Sequence, residues 1–122
     1  YLAMILLDMI GDRNLTFTVP ANSDPMLLDL LLKAADRLNV RNKIQLHRHT
    51  TIIDDHVPFL EIGIPAIDLI DFKFGSHDHA NDYWHTDEDS MDKISPESLK
   101  ISGQITLEML DELGLFLKKQ PR

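Results

Sequence analysis

The chain opens on YLAMILLDMIG at residues 1–11, an apolar run broken only by Asp8. A run so short and so apolar reads as a strand buried on both faces. Such a strand lies in the middle of a sheet, and it needs a layer above it and a layer below. That requirement constrains the fold more than any other feature. It also predicts that more chain precedes Tyr1, so that residues 1–122 are the C-terminal part of a larger domain.

The segments that follow alternate between strand and helix signals. Residues 2–9 are the first predicted strand, and residues 12–23 a loop with an extended piece at Leu15–Val19. NSDPMLLDLLLKAADRLNV (22–40) is a helix, with Ser23 or Asp24 as cap and Pro25 in its first turn. Met26, Leu27, Leu30, Leu31, Ala34 and Leu38 form its apolar stripe. KIQLH (43–47) is a short strand. DDHVPFLEIG (54–63) is a short helix, started by Asp54 and stopped by Gly63. IPAIDLIDF (64–72) is another strand. Residues 71–92 are a long polar loop, and residues 95–119 a final helix capped by Ser95. Leu99, Ile105, Met109, Leu110 and Leu113 give that helix its apolar face. Strands alternating with helices predict an α/β fold with a mainly parallel sheet. Ligands in such sheets gather at the carboxyl ends of strands.

Composition narrows the partners. A chain of 122 residues fits one domain, and its net charge of −8 argues against nucleic acid or an anionic membrane surface as the main partner. The same charge suits a cationic ligand or a metal ion. With no cysteine, disulfides and thiolate metal sites are excluded. No apolar run approaches the roughly 20 residues needed to span a bilayer.

A few polar residues interrupt the apolar segments. Asp8 ends the first strand, where a carboxylate is costly to bury unless paired or bound to a metal. Its plainer role is to cap a turn. Asp54 and Asp55 are adjacent, so only one can enter a given pocket. Asp54 could equally be a helix cap. His56 could be a surface residue or could orient an Asp. His85 follows Trp84 and precedes a run of acids, and imidazole is the commonest protein ligand of zinc. A lone loop histidine is more often just exposed. His77 and His79 could chelate a metal adventitiously, and His47 and His49 read as surface residues at a strand end. There is no phosphate-binding glycine loop, no nucleophile elbow and no His-Glu-x-x-His helix.

Three stretches taken together resemble a known family: LLDMIGDRNLTF (6–17), DDHVPFLEIGIPAIDLI (54–70) and YWHT (83–86). They are similar to the C-terminal half of the zinc-dependent aminopeptidase and glutaminyl cyclase family of metallopeptidase clan MH, and more to its glutaminyl cyclase branch. DKISPESLKISGQITLEML (92–110) resembles the last helix of that family. The resemblance implies an α/β three-layer sandwich around a mainly parallel or mixed sheet. It implies zinc as cofactor and a peptide N-terminus as substrate. His85 matches the zinc-ligating histidine. Asp8 matches a second-metal ligand in two-zinc aminopeptidases and a proton-handling carboxylate in the cyclases. Asp54 matches the acid hydrogen-bonded to that carboxylate, Asp55 is a further pocket acid, and Trp84 matches the aromatic pocket wall. Asp68 falls where animal cyclases can carry a histidine, and GSHDHAND (75–82) departs from their shorter loop. The remaining ligands of the family precede the first strand, so the isolated chain is expected to be inactive and able to self-associate. The resemblance alone favours an extracellular or periplasmic location. The expected reaction is cyclisation of an N-terminal glutamine to pyroglutamate. The alternatives are aminopeptidase hydrolysis, or a binding module that keeps the fold without the chemistry.

Overall fold

A computed structural model of the chain describes residues 2–78 and 80–119. Four strands form two parallel pairs. β1 (Met4–Asp8) pairs with β4 (Ala66–Ile70), in a register running from Met4↔Ala66 to Asp8↔Ile70. β2 (Phe17–Pro20) pairs with β3 (Ile44–His47). β2 also runs beside β4, and there the contacts reverse direction. The Thr16 amide meets the Asp71 carboxylate, Thr18 meets Ile70, and the Asp24 amide meets the carbonyl of Ala66. The two pairs therefore oppose each other, and the arrangement is mixed. Thr18 joins them: its hydroxyl donates to the carbonyl of Ile70 (3.0 Å) and accepts from the amide of Phe72 (2.9 Å).

Local chemistry sets the helices. Asp24 caps α1 (Pro25–Arg37), its Oδ1 accepting from the amides of Met26 and Leu27 at 2.9 and 3.1 Å. Ser95 caps α3 (Pro96–Lys119) through the amide of Ser98 at 3.1 Å. The short α2 (Val57–Glu61) ends at Gly63, whose φ of +80° suits glycine. Asp54 does not cap α2, contrary to expectation. The helix starts after His56, and the Asp54 side chain instead accepts from the Asp55 amide at 2.7 Å. Among the described residues no helix is long and apolar enough to cross a membrane.

Alternation along β4 separates the two faces of the sheet. Ile67 and Leu69 point into a core with Leu27, Leu31 and Ala34 of α1 and Ile105 and Met109 of α3. Asp68 points the other way, toward His56 at the start of α2. Helices thus lie on both faces, as a three-layer sandwich requires. α3 meets the segment just after β1, the hydroxyl of Ser102 donating to the carbonyl of Ile10 at 3.0 Å. Leu99 and Leu110, expected on its buried face, are 45% and 49% exposed. Ser98, Ser102 and Glu112 take buried positions instead. Glu112 is tolerated there because Arg37 of α1 pairs with it and with Glu108. β1 is half-buried and not enclosed on both faces, with Leu7 38% exposed. Among the described residues its only strand neighbour is β4, which leaves one edge and part of a face uncovered.

Candidate functional site

A cavity of about 430 Å³ opens where β1 and β4 end. Asp8 and Ile70, the last residues of those strands, form its floor with Phe72. The segment from Thr50 to Asp54 crosses above them from the end of β3, and Trp84 closes one side. The wall is largely apolar, its acidic groups are Asp8 and Asp54, and no Lys or Arg lines it. Apolar walls around a few convergent polar groups are the usual make-up of a small-ligand site.

Three acids lie on this side of the sheet. In the β1–β4 register Asp8 lies beside Ile70, and Asp68 lies two residues earlier on the same face. Asp54 reaches them from the crossing segment. Burial raises the pKa of Asp8, and the charge of Asp54 and a hydrogen bond between the two carboxyls raise it further. Burial also pushes Asp68 up to about 7, with Asp54 and Asp8 adding to the effect. Asp71, just after β4, is pushed up to about 6 by burial. It is structural: its oxygens accept from the amides of Thr16 (2.8 Å) and Lys73 (2.9 Å) and pin the start of β2.

Asp8, Asp54 and Trp84, expected as site residues, thus share one cavity. Asp55, expected as a pocket residue, is exposed and lies outside its lining. Its contribution is the backbone N–H that holds Oδ1 of Asp54. His85 is exposed and stacks on Trp84, with ring centroids 3.9 Å apart and planes 22° apart. Its φ of +58° puts it in the left-handed region, an uncommon conformation for a histidine. Trp84 also packs against Phe72 at 6.1 Å, which ties the His85 turn to the cavity wall. The acids after His85 belong to surface turns. Asp92 takes hydrogen bonds from Ser90 and Lys93, and Lys93 also pairs with Glu88. His77 is exposed and bonded to the carbonyl of Asp78, and His79 lies outside the described residues. Among the described residues no three His, Asp or Glu side chains come together to hold a metal.

Two histidines take roles that the sequence left open or passed over, and for His56 the structure favours orienting an Asp over a surface position. His47, read as a surface residue, lines the cavity. His56 is fully buried and carries a polar network: its Nε2 contacts Nδ2 of Asn22 at 3.0 Å, and its Nδ1 faces Oδ2 of Asp68 at 3.8 Å. Asn22 attracted no attention in the sequence. Nothing near it in the chain signals that it bonds to a loop thirty residues on.

Two parallel strand pairs bridged by Thr18, helices on both faces and a carboxylate-bearing cavity at the strand ends define an α/β domain with a candidate small-ligand site. The family model for peptidase family M28 matches residues 1–110, and the chain belongs to that family. It is 30% identical over 123 residues to a glutaminyl-peptide cyclotransferase-like protein of Bos taurus, covering 91% of this chain and 30% of that one. It resembles the crystal structure of an Acidobacteriales bacterium glutaminyl cyclase, with TM-score 0.81 and 42% identity, over 89% of this chain and 38% of that one. It also resembles a Zn-dependent exopeptidase from Parabacteroides distasonis, with TM-score 0.70 and 30% identity, over 88% and 38% of the two chains. The chain therefore spans well under half the length of these relatives.

Proposed function

We propose that this chain is the C-terminal part of a zinc-dependent enzyme acting at peptide N-termini, and that the enzyme is a glutaminyl-peptide cyclotransferase. The carrying observation is the convergence of the Asp8 and Asp54 carboxyls in one cavity walled by Trp84. Similarity to a bacterial glutaminyl cyclase over most of this chain supports the same reading.

Cyclisation joins the α-amine of an N-terminal glutamine to its own side-chain carbonyl carbon and expels ammonia. The attacking amine must lose a proton, and the departing nitrogen must gain one. Two carboxyls so placed can do both. One oxygen takes the proton from the amine as the C–N bond forms and returns it to the leaving nitrogen as the old C–N bond breaks. The raised pKa of Asp8 moves it toward the range where accepting and returning a proton are both feasible. Trp84 and Phe72 supply apolar surface that orients the short glutamine side chain and excludes water, the competing nucleophile.

The residues fit zinc as part of a donor set. Asp8 in the cavity offers a carboxylate, and the exposed His85, stacked on the cavity wall at Trp84, offers an imidazole; both are zinc donor types, and no Lys or Arg lines the cavity to balance Asp8 and Asp54. Bound there, zinc supplies Lewis-acid polarisation of the amide carbonyl. Catalytic zinc takes about three protein ligands, so this reading assigns the remainder to chain beyond these residues.

The second reading is exopeptidase hydrolysis, supported by similarity to a Zn-dependent exopeptidase. The two differ in the nucleophile, which is the substrate's own amine in one and water in the other. Incubating the full-length enzyme with glutaminyl and leucyl peptides separates them. Pyroglutamate and ammonia are expected, and free leucine without pyroglutamate overturns the cyclase assignment.

A further inference from the structure

We infer that Asn22, His56 and Asp68 form a buried relay that holds Asp54 against Asp8, which makes all three positioning residues for the reaction proposed above, a reading on which this inference rests. Asn22 comes first because its orientation is determined. Its Oδ1 accepts from the amide of Ile52 at 3.1 Å, which only an oxygen can do. Its Nδ2 therefore donates, to the carbonyl of Ile52 at 2.8 Å and to Nε2 of His56 at 3.0 Å. With Nε2 accepting, the neutral ring must carry its proton on Nδ1. That N–H faces Oδ2 of Asp68, and His56 and Asp68 are both fully buried.

The relay has a direct mechanical consequence. Asn22 grips Ile52 by both backbone groups, and His56 follows Asp54 by two residues. The segment that carries Asp54 across the sheet is therefore anchored on both sides of it. Asp68 is the anchor on the sheet, placed by the β1–β4 register on the same face as Asp8. Neither oxygen of Asp68 has a hydrogen-bond partner, and Nδ1 of His56 has none either, so the two unmatched groups face each other at 3.8 Å in a site closed to solvent. Burial pushes the pKa of His56 down and that of Asp68 up, as expected of a neutral ring beside a carboxyl that resists ionisation.

The test is made on the full-length enzyme. Nitrogen NMR of the wild type should show a neutral His56 protonated on Nδ1. A ring protonated on Nε2 overturns the inference with no variant needed. Asp68→Leu keeps the branched side-chain shape, with bulkier methyl groups in place of the oxygens, and removes the acceptor. Its kcat should fall about ten- to hundredfold with KM within about threefold. The Asp55 amide resonance, which reports the Asp54 carboxyl, should move. Asp68→Asn retains an acceptor and should restore both. A folded Asp68→Leu variant with wild-type kcat and an unmoved Asp55 amide overturns the relay. So does an Asp68→Asn variant as impaired as Asp68→Leu. Should the wild-type enzyme make no pyroglutamate, the proposed function fails, while the ring tautomer and the Asp55 amide still decide the relay.

Discussion

Asp8 at the end of β1 and Asp54, which arrives on a separate segment after β3, line the same cavity. Burial raises the proton affinity of Asp8, and the neighbouring Asp54 raises it further.

Asp54→Asn removes that neighbouring charge. Asp8 should then titrate lower, nearer an ordinary carboxyl, as followed by carbon NMR of its side chain. In the full-length enzyme the same change should lower kcat/KM by about 10²–10⁴-fold, the usual worth of a positioned acid–base group. An unchanged Asp8 titration would mean that burial alone sets its affinity.

Asp68 should make stability depend on pH. Its pKa is raised in the fold to about 7, against roughly 4 for an unfolded carboxyl. Stability from this group is therefore fully present below about pH 4 and lost as pH rises through about 7. The full effect is on the order of 4 kcal/mol, and Asp71, raised to about 6, adds in the same direction. Urea unfolding at pH 5 and pH 8 should find the protein more stable at pH 5. Asp68→Asn should shrink that difference, and an equal difference in the variant would refute this account.

Zinc can be followed through Trp84, the chain's only tryptophan, because His85 stacks on it. Zinc should change its fluorescence, and a chelator should reverse the change. His85→Ala should abolish this response, with a loss of affinity beyond the roughly 10–100-fold typical of losing an outer partner. Replacing His77 and His79 together should leave it intact. A response that survives His85→Ala would remove His85 from the metal site.

Thr18→Val should separate the two strand pairs. The change strands the amide of Phe72 and the carbonyl of Ile70 without their bridge. A cost of about 1–3 kcal/mol is expected from chemical denaturation. Because Phe72 lines the cavity, the full-length enzyme should also lose substrate affinity.

Much of this architecture was legible locally. Asp24 with Pro25, Ser95 with Pro96, and Gly63 announce the helix ends because capping and backbone limits act within a few residues. The apolar runs mark β1 and β4, and the strand–helix alternation marks the class. β2 was harder. Its four residues make a short run between polar flanks, and the extended piece read at Leu15–Val19 starts two residues early and ends one residue early.

Asp8 and Asp54 stood out in the chain as charges set in or beside apolar segments, but no local rule states that they touch. That follows from the β1–β4 register and from the path of the segment after β3. The same holds for His56, which reads either as a surface residue or as a partner of an Asp and is buried facing Asp68, and for Leu99 and Leu110, which read as core and are exposed. Sequence alone determined where strands and helices begin and which residues were costly to bury, because those depend on neighbours along the chain. Tertiary structure alone decided which costly residues meet, because a side chain's surroundings depend on the elements packed against each face of the sheet, and those come from distant parts of the chain.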